Sequence, residues 1–386
     1  MSGLTMAFLG DVYIAHQSDC PIVSQGIQDV LASCSHVVAN LEGPITITES
    51  PIAKAGPVLR QSLGVLDLLR TSRVDLVGLA NNHLADHGAH GIVHTLESLG
   101  RSGFRFAGAG LQVEEVYRPL RVGTDDATVS LLFGGERVFG CAVGDGRDEA
   151  GYAWLFHPRF LDAVRREAAQ CDFVVVVAHG GVEHIDRPLP QWRKAYRQFI
   201  ENGASAVVAH HPHLTQGYEV YMGAPIFFSI GNFFFRLPTT TSHWFHSQVP
   251  ILRFQRNEPV AFRLAHTRFD LENRGHIVLD DSAEGAARTS RLTVELSGAE
   301  YERLLGEDLR RLWRSPYSHY LGTLLHAFPT MGFVKYLVDK ALLAVRRGRT
   351  PFRANPMLVE TLFECESHRW AIAEIMRMMY ADRTHD

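Results

Sequence analysis

The 386-residue chain has only five cysteines (Cys20, Cys34, Cys141, Cys171 and Cys365), and no two of them form a CxxC pair. Their odd number and wide scatter argue against a disulfide framework and against a thiolate zinc site. Nor is there an apolar run of the roughly 18 residues that a membrane-spanning helix needs. The first residues, MSGLTMAFLGD, lack the basic stretch and long apolar run of a signal peptide. The expectation is a cytoplasmic protein with no transmembrane segment. A basic excess is missing as well. The formal net charge of -4 offers no general attraction to nucleic acid, so no nucleic-acid partner is expected.

What is present is an ordinary globular composition, 46% hydrophobic and 21% charged, with length for one large domain or two smaller ones. It also holds 20 histidines. Neutral imidazole is the commonest protein metal ligand and a ready acid–base group, so their positions matter.

Short apolar runs alternate with longer amphipathic segments through the first two-thirds of the chain. Thr5–Leu9, Val37–Ala39, Asp75–Leu79, Phe173–Ala178, Ser205–Ala209 and Ile226–Ile230 read as buried strands. Ile22–Ser35, Gln61–Thr71, His90–Ser102, Arg159–Ala169 and Gln191–Asn202 carry helical spacing. This alternation predicts an α/β domain over residues 1–296. Thr128–Phe133 and Arg137–Val143 flank a Gly-Gly-Glu turn and suggest a hairpin, and Pro259–Arg268 and Arg291–Leu296 look β-like. Residues 297–386 read as helices: Gly298–Arg314, a segment around Tyr317–Arg346, and Pro356–Tyr380 with a stripe of Phe363, Trp370, Ile375, Met376 and Met379. Such an appendage suits docking or a homo-oligomer contact. Gly332–Arg347, apolar-rich with a basic end, fits either a packing helix or an interfacial one.

The polar residues fall at the ends of the expected strands. Thr5–Leu9 runs into Gly10-Asp11, Val37–Ala39 into Asn40-Leu41-Glu42, and Asp75–Leu79 into Asn81-Asn82-His83 with Asp86 beyond. Phe173–Ala178 ends in His179-Gly-Gly-Val-Glu183, and Ser205–Ala209 in His210-His211-Pro212-His213. Ligands of open α/β sheets bind at that edge. Oxygen donors (Asp11, Glu42, Asn82) mixed with imidazoles (His179, His211, His213) suit one or two divalent ions such as Mn, Fe or Zn. A carboxylate such as Glu42 can bridge two cations about 3.5–4 Å apart. His-x-His in an extended segment would put both rings on one face. Taken singly, Gly-Asp also serves as a turn and Asn-Asn-His as a helix cap.

Those motifs, Gly10-Asp11, Asn40-Leu41-Glu42-Gly43, Asn81-Asn82-His83-x-x-Asp86-x-Gly88, His179-x-Gly181-x-Glu183 and His211-Pro212-His213-x-x-Gln216, resemble in order and spacing the CapA-type capsule-synthesis proteins. These form the poly-γ-glutamate biosynthesis group of the calcineurin-like metallophosphatases. Ala224–Phe233, with Asn232, is similar to a further family signature. The resemblance covers roughly residues 5–235. It implies a four-layer αββα sandwich in which Asp11 and His213 hold one metal, Asn82, His179 and His211 a second, and Glu42 bridges. His83 would take the place of the general acid. The superfamily's usual Asp-x-His is here Asp11-x-Tyr13.

The function expected is two-metal hydrolysis of a phosphoester, tied to capsule or poly-γ-glutamate-like polymer synthesis, on a small-molecule or polymer-derived substrate. His83 would protonate the leaving group, with Glu183 and Asp86 as further acid–base or orienting groups. Asn40, Asn81, His210 and Asn232 are the candidate substrate contacts. The loops Ile45–Arg60 and Leu237–Gln248, the latter with His243, Trp244 and His246, would shape the pocket. Two alternatives stand beside this: an accessory binding subunit of polymer assembly, and a metal-dependent amide or ester hydrolase.

Overall fold

Phe173-Val-Val-Val-Val is apolar on both sides of the strand, the mark of a central strand in a covered parallel sheet. In the computed structural model, which describes residues 3–54, 56–125, 127–142, 150–237, 242–270, 275–280, 282–317 and 356–381, that stretch is a fully buried strand, Phe173–His179. It lies within a six-stranded sheet ordered Tyr218–Tyr221, Ala224–Phe227, Ala206–His210, Phe173–His179, Thr128–Gly135, Leu120–Gly123. The inner pairs are parallel and both edge pairs antiparallel.

A sheet of eight strands centres on Leu4–Tyr13. Its parallel neighbours His36–Leu41, Leu76–Gly78 and Arg105–Ala107 lie on one side. The antiparallel strands His246–Phe254, Ala261–Asp270 and His276–Leu279 lie on the other. Asn232–Phe235 runs parallel to the end of the Leu4–Tyr13 strand.

The sheets meet face to face through pairs such as Phe173–Phe254 and Phe227–Phe262, with ring centroids 5.3 and 5.2 Å apart. Each buried aromatic or valine there contributes about 1.5–3 kcal/mol of transfer free energy. Helices cover the outer faces, giving the four αββα layers. Pro158–Ala168 and Pro190–Glu201 sit on the six-stranded sheet, while Gln25–Ala32 and Gly88–Arg101 lie against strands of the other. The Pro190–Glu201 helix buries Trp192, Ala195, Tyr196, Phe199 and Ile200, a stripe at three- and four-residue spacing, and starts with a proline at its first position.

Three local expectations change. Gly134-Gly135-Glu136 is not a hairpin turn: the strand before it pairs with Leu120–Gly123 and with Phe173–His179, while Cys141–Ala142 joins a separate three-stranded sheet. Arg291–Leu296 lies inside a helix, Glu284–Ser297, where Leu292 and Leu296 form its buried face. In the last two described helices, Pro356–Glu364 and Glu366–Ala381, Phe363 and Met376 are exposed at 55% and 38%. The buried apolar residues of the two helices and the link between them are Leu358, Leu362, Cys365, Ala371 and Ile375. Of the expected stripe Ile375 is buried, whereas Phe363 and Met376 face outward.

The chain divides into two compact units, Met1–Ile52 with Val58–Tyr301, and Ala53–Pro57 with Glu302–Asp386. In the second unit the Pro356–Glu364 and Glu366–Ala381 helices pack on each other, and the Tyr317 hydroxyl lies 2.8 Å from His368 Nδ1. The segment expected as a helix around Tyr317–Arg346 lies almost wholly outside the described residues, and Gly332–Arg347 entirely so. Among the described residues, no helix is long and apolar enough to cross a membrane.

Candidate metal centre

Parallel pairing brings the strand ends to one edge. Across the six-stranded sheet Gly135, His179 and His210 are in register; across the other, Asp11 is opposite Asn40 and Asn40 opposite Gly78. The Leu4–Tyr13 strand is irregular between Leu9 and Asp11, where Gly10 passes against the Gly231 backbone. A Cβ at position 10 would collide with the Gly231 carbonyl, so only glycine lets Asp11 pair with Asn232 there.

The two edges enclose Asp11, Glu42, Asn82, His83, His179, His211 and His213, all buried. Glu42 Oε1 is 3.7 Å from Nε2 of both His179 and His213, and 3.9 Å from Nε2 of His83. His179 Nε2 lies 2.9 Å from Asn82 Oδ1 and 3.2 Å from His211 Nδ1. Asp11 Oδ2 is 3.6 Å from His213 Nδ1. The 3.7 Å spacings from Glu42 Oε1 to Nε2 of His179 and His213 are too long for hydrogen bonds. They match donors about 2.1 Å from a shared cation, which lie roughly 3–4 Å apart. The donors form two groups, Glu42 with His179 and His211, and Asp11 with Glu42 and His213, so Glu42 belongs to both. Buried carboxylates and imidazoles in that arrangement fit a pair of divalent cations.

A second set of contacts holds the donors. Asn40 Nδ2 donates to Asp11 Oδ1 at 2.7 Å and sits 3.1 Å from His179 Nδ1. Asn232 Oδ1 is 2.9 Å from His213 Nδ1, and its Nδ2 donates to the carbonyls of His213 and Trp244. Asp86 Oδ2 is 2.7 Å from His83 Nδ1 and also accepts the Leu59 N–H, which leaves His83 Nε2 facing Glu42. Gln61 donates to the carbonyls of Val12 and Glu42. Burial keeps the His179 imidazole neutral, well below its usual pKa, with His211, His210, His213 and His83 adding repulsion. Burial also lowers His213, to about 4. For His211 burial works the same way, but Glu136, Glu183 and Asp11 outweigh it and lift its pKa to about 9.

The strand carrying His210 stops there. His211 and His213 both have positive φ, 98° and 59°, so they converge through a strained turn and not through strand alternation. Such conformations cost of order 1–3 kcal/mol each and concentrate at functional sites. Gly181 accommodates that turn: a Cβ on it would stand 2.7 Å from Pro212 Cγ.

The family model for bacterial capsule synthesis protein PGA_cap matches residues 5–237, which include every residue of this cluster. The chain belongs to this family. The PGA biosynthesis protein CapA of Bacillus subtilis is 24% identical to it over 240 residues, covering 60% of this chain and 63% of the relative. The capsule biosynthesis protein CapA of Bacillus anthracis is 25% identical over 246 residues, 60% of each. The chain thus spans less than two-thirds of the length of either relative. A Mycobacterium tuberculosis protein named a probable polyglutamine synthesis accessory protein is 26% identical over 205 residues, 50% of this chain and 53% of that protein. Among solved structures, the NAD nucleotidase of Haemophilus influenzae aligns with 81% of this chain and 60% of its own at 10% identity, with a TM-score of 0.42.

Within this PGA_cap chain the expected residues separate by position. The six expected ligands and His83 converge. Asn81 donates to the carbonyls of Leu41 and Leu79 and accepts from Gly43 and His83, tying three loops together. His210 bridges the carbonyls of Ala178 and Leu9 between the sheets. Glu183 is half-exposed at the rim, 3.9 Å from His211 Nε2. Trp244 packs on His213 at 4.6 Å between centroids; residues 238–241 of that loop lie outside the described residues. Sequence reasoning missed Gln61 and Glu136. Glu136 had a visible signal, a carboxylate close behind an apolar run, but the paired glycines between them suggested a turn.

Proposed function

We propose that this PGA_cap chain is a metal-dependent hydrolase with a two-cation site that acts on a phosphoester in the making or processing of a capsule-type or poly-γ-glutamate-like polymer. The observation that carries this reading is Glu42: one buried carboxylate oxygen stands 3.7 Å from imidazoles of two separate donor groups, with a third imidazole, His83, at 3.9 Å. Asp11, Glu42 and His213 would hold one cation; Glu42, Asn82, His179 and His211 the other. Bound there, divalent cations supply Lewis acidity toward a phosphoryl oxygen and toward attacking water.

The chain's own groups do the rest. Asp86 fixes the His83 ring through Nδ1, so Nε2 faces the site, where it would deliver a proton to the leaving oxygen. Asn40 and Asn232 orient Asp11, His179 and His213. Glu183, at the rim 3.9 Å from His211 Nε2, would meet incoming substrate. Elemental analysis of the purified chain, paired with turnover of bis-p-nitrophenyl phosphate, tests the reading. Metal without turnover would favour a second one, an accessory protein of polymer assembly. Tyr13 supports that alternative, since it stands where a second imidazole would strengthen the Asp11 position.

A further inference from the structure

The Thr128–Gly135 strand runs parallel to Phe173–His179, with Gly135 opposite His179, so Glu136 emerges at the same edge as the donors. Its N–H donates to the His179 carbonyl at 2.9 Å, and its own carbonyl accepts the Tyr152 hydroxyl at 2.9 Å. The backbone is therefore clamped from both sides. Its carboxylate is buried, with Oε1 2.9 Å from His211 Nε2. The other nitrogen of that ring, Nδ1, lies 3.2 Å from His179 Nε2 and faces the Glu42, His179 and His211 group. One nitrogen of His211 is held from behind while the other looks into the donor cluster.

We propose that Glu136 is a positioning residue of this site: it accepts the Nε2 proton of His211 and so presents the Nδ1 lone pair to the cation. The inference rests on the two-cation reading above. A carboxylate behind a ligating imidazole fixes its tautomer and ring plane and raises its basicity. Here that carboxylate follows a strand two places across the sheet from the one that leads into His211, so sheet register sets the direction of the ring.

A carboxylate that only neutralised His211 would affect folding and leave cation binding alone. The test is titration of the metal-free chain with Co²⁺, reading affinity by chelator competition and ligand geometry by the visible absorption bands. Glu136→Gln keeps shape and an acceptor but loses charge; Glu136→Ala loses both. We expect Glu136→Ala to bind roughly 10–100-fold more weakly with altered bands, and Glu136→Gln to fall between it and wild type. If Glu136→Ala does not fold, the glutamine variant alone decides. Wild-type affinity and bands in the folded variants would overturn the proposal and leave the two-cation reading standing. A wild-type chain that takes up no Co²⁺ would overturn both.

Discussion

The two donor groups share Glu42 and differ in nearly everything else. The Asp11 side has two carboxylates and one imidazole, and its His213 is walled by aromatic rings, Phe235 at 4.7 Å and Trp244 at 4.6 Å. The His179 side has two imidazoles, the Asn82 carboxamide and a carboxylate behind His211. Imidazole-rich sites favour later transition metals, and carboxylate-rich ones suit harder cations. On the proposed two-cation reading, Glu42 would join two positions of unequal strength, and the His179 position should fill first. The lesson is that a shared sheet edge does not make equivalent sites; what stands behind each ligand separates them.

The strongest way to break this picture is at the shared residue. Glu42→Ala should remove both ions, leaving metal content near zero by elemental analysis, because each position loses a charged donor at once. A variant that still held two ions per chain would show that Glu42 is not the bridge. Next in size is His83, which touches neither donor group as a ligand. His83→Ala should lower kcat by roughly 10²–10⁴-fold with metal content unchanged. The loss should shrink for esters with good leaving groups, which need no proton. Equal losses across a leaving-group series would remove the acid role.

A smaller effect sharpens the inequality itself. His211→Ala should cost the tighter ion and lower thermal stability in metal-containing buffer, whereas His213→Ala should cost only the weaker one. Metal counts per chain, taken after brief and prolonged dialysis, separate the two. Identical losses would mean the positions are equivalent or fill together.

Much of this was legible because parallel strands end in a loop and each loop carries a candidate ligand. Asp11, Glu42, Asn82, His83 and His179 each follow a recognisable apolar run. The His211–His213 pair was found for a partly mistaken reason: alternation along a strand was expected, and positive φ at both residues does the work. Backbone strain leaves no composition signal. Glu136 was hidden because two glycines before a carboxylate look the same in a turn and at the tight end of a buried strand. In the helical tail, periodicity identified helices and only part of their buried side: Ile375 is buried, but apolar residues at 363 and 376 lie outside the stripe that packs.

Protons give the last and smallest test, and they separate the two groups again. In the metal-free chain His213 has its pKa lowered to about 4 by burial, against 6.5 unfolded, and His211 has its raised to about 9 by Glu136 and its neighbours. Between pH 6.5 and 4 the unfolded chain takes up a proton at residue 213 that the folded chain refuses, so stability falls as pH drops through that window. Between pH 6.5 and 9 the folded chain keeps a proton at residue 211 that the unfolded chain releases, so stability falls as pH rises. Metal-free protein should therefore melt highest near neutrality. His213→Ala should lessen the acid-side loss, to which His179 also contributes, and His211→Ala should flatten the alkaline side. Loading at pH 7.5 should also release a proton from the His211 position and none from His213, detectable as a buffer-dependent heat in calorimetry. If His211→Ala released as many protons as wild type, the asymmetry would lie elsewhere than in the Glu136 pair.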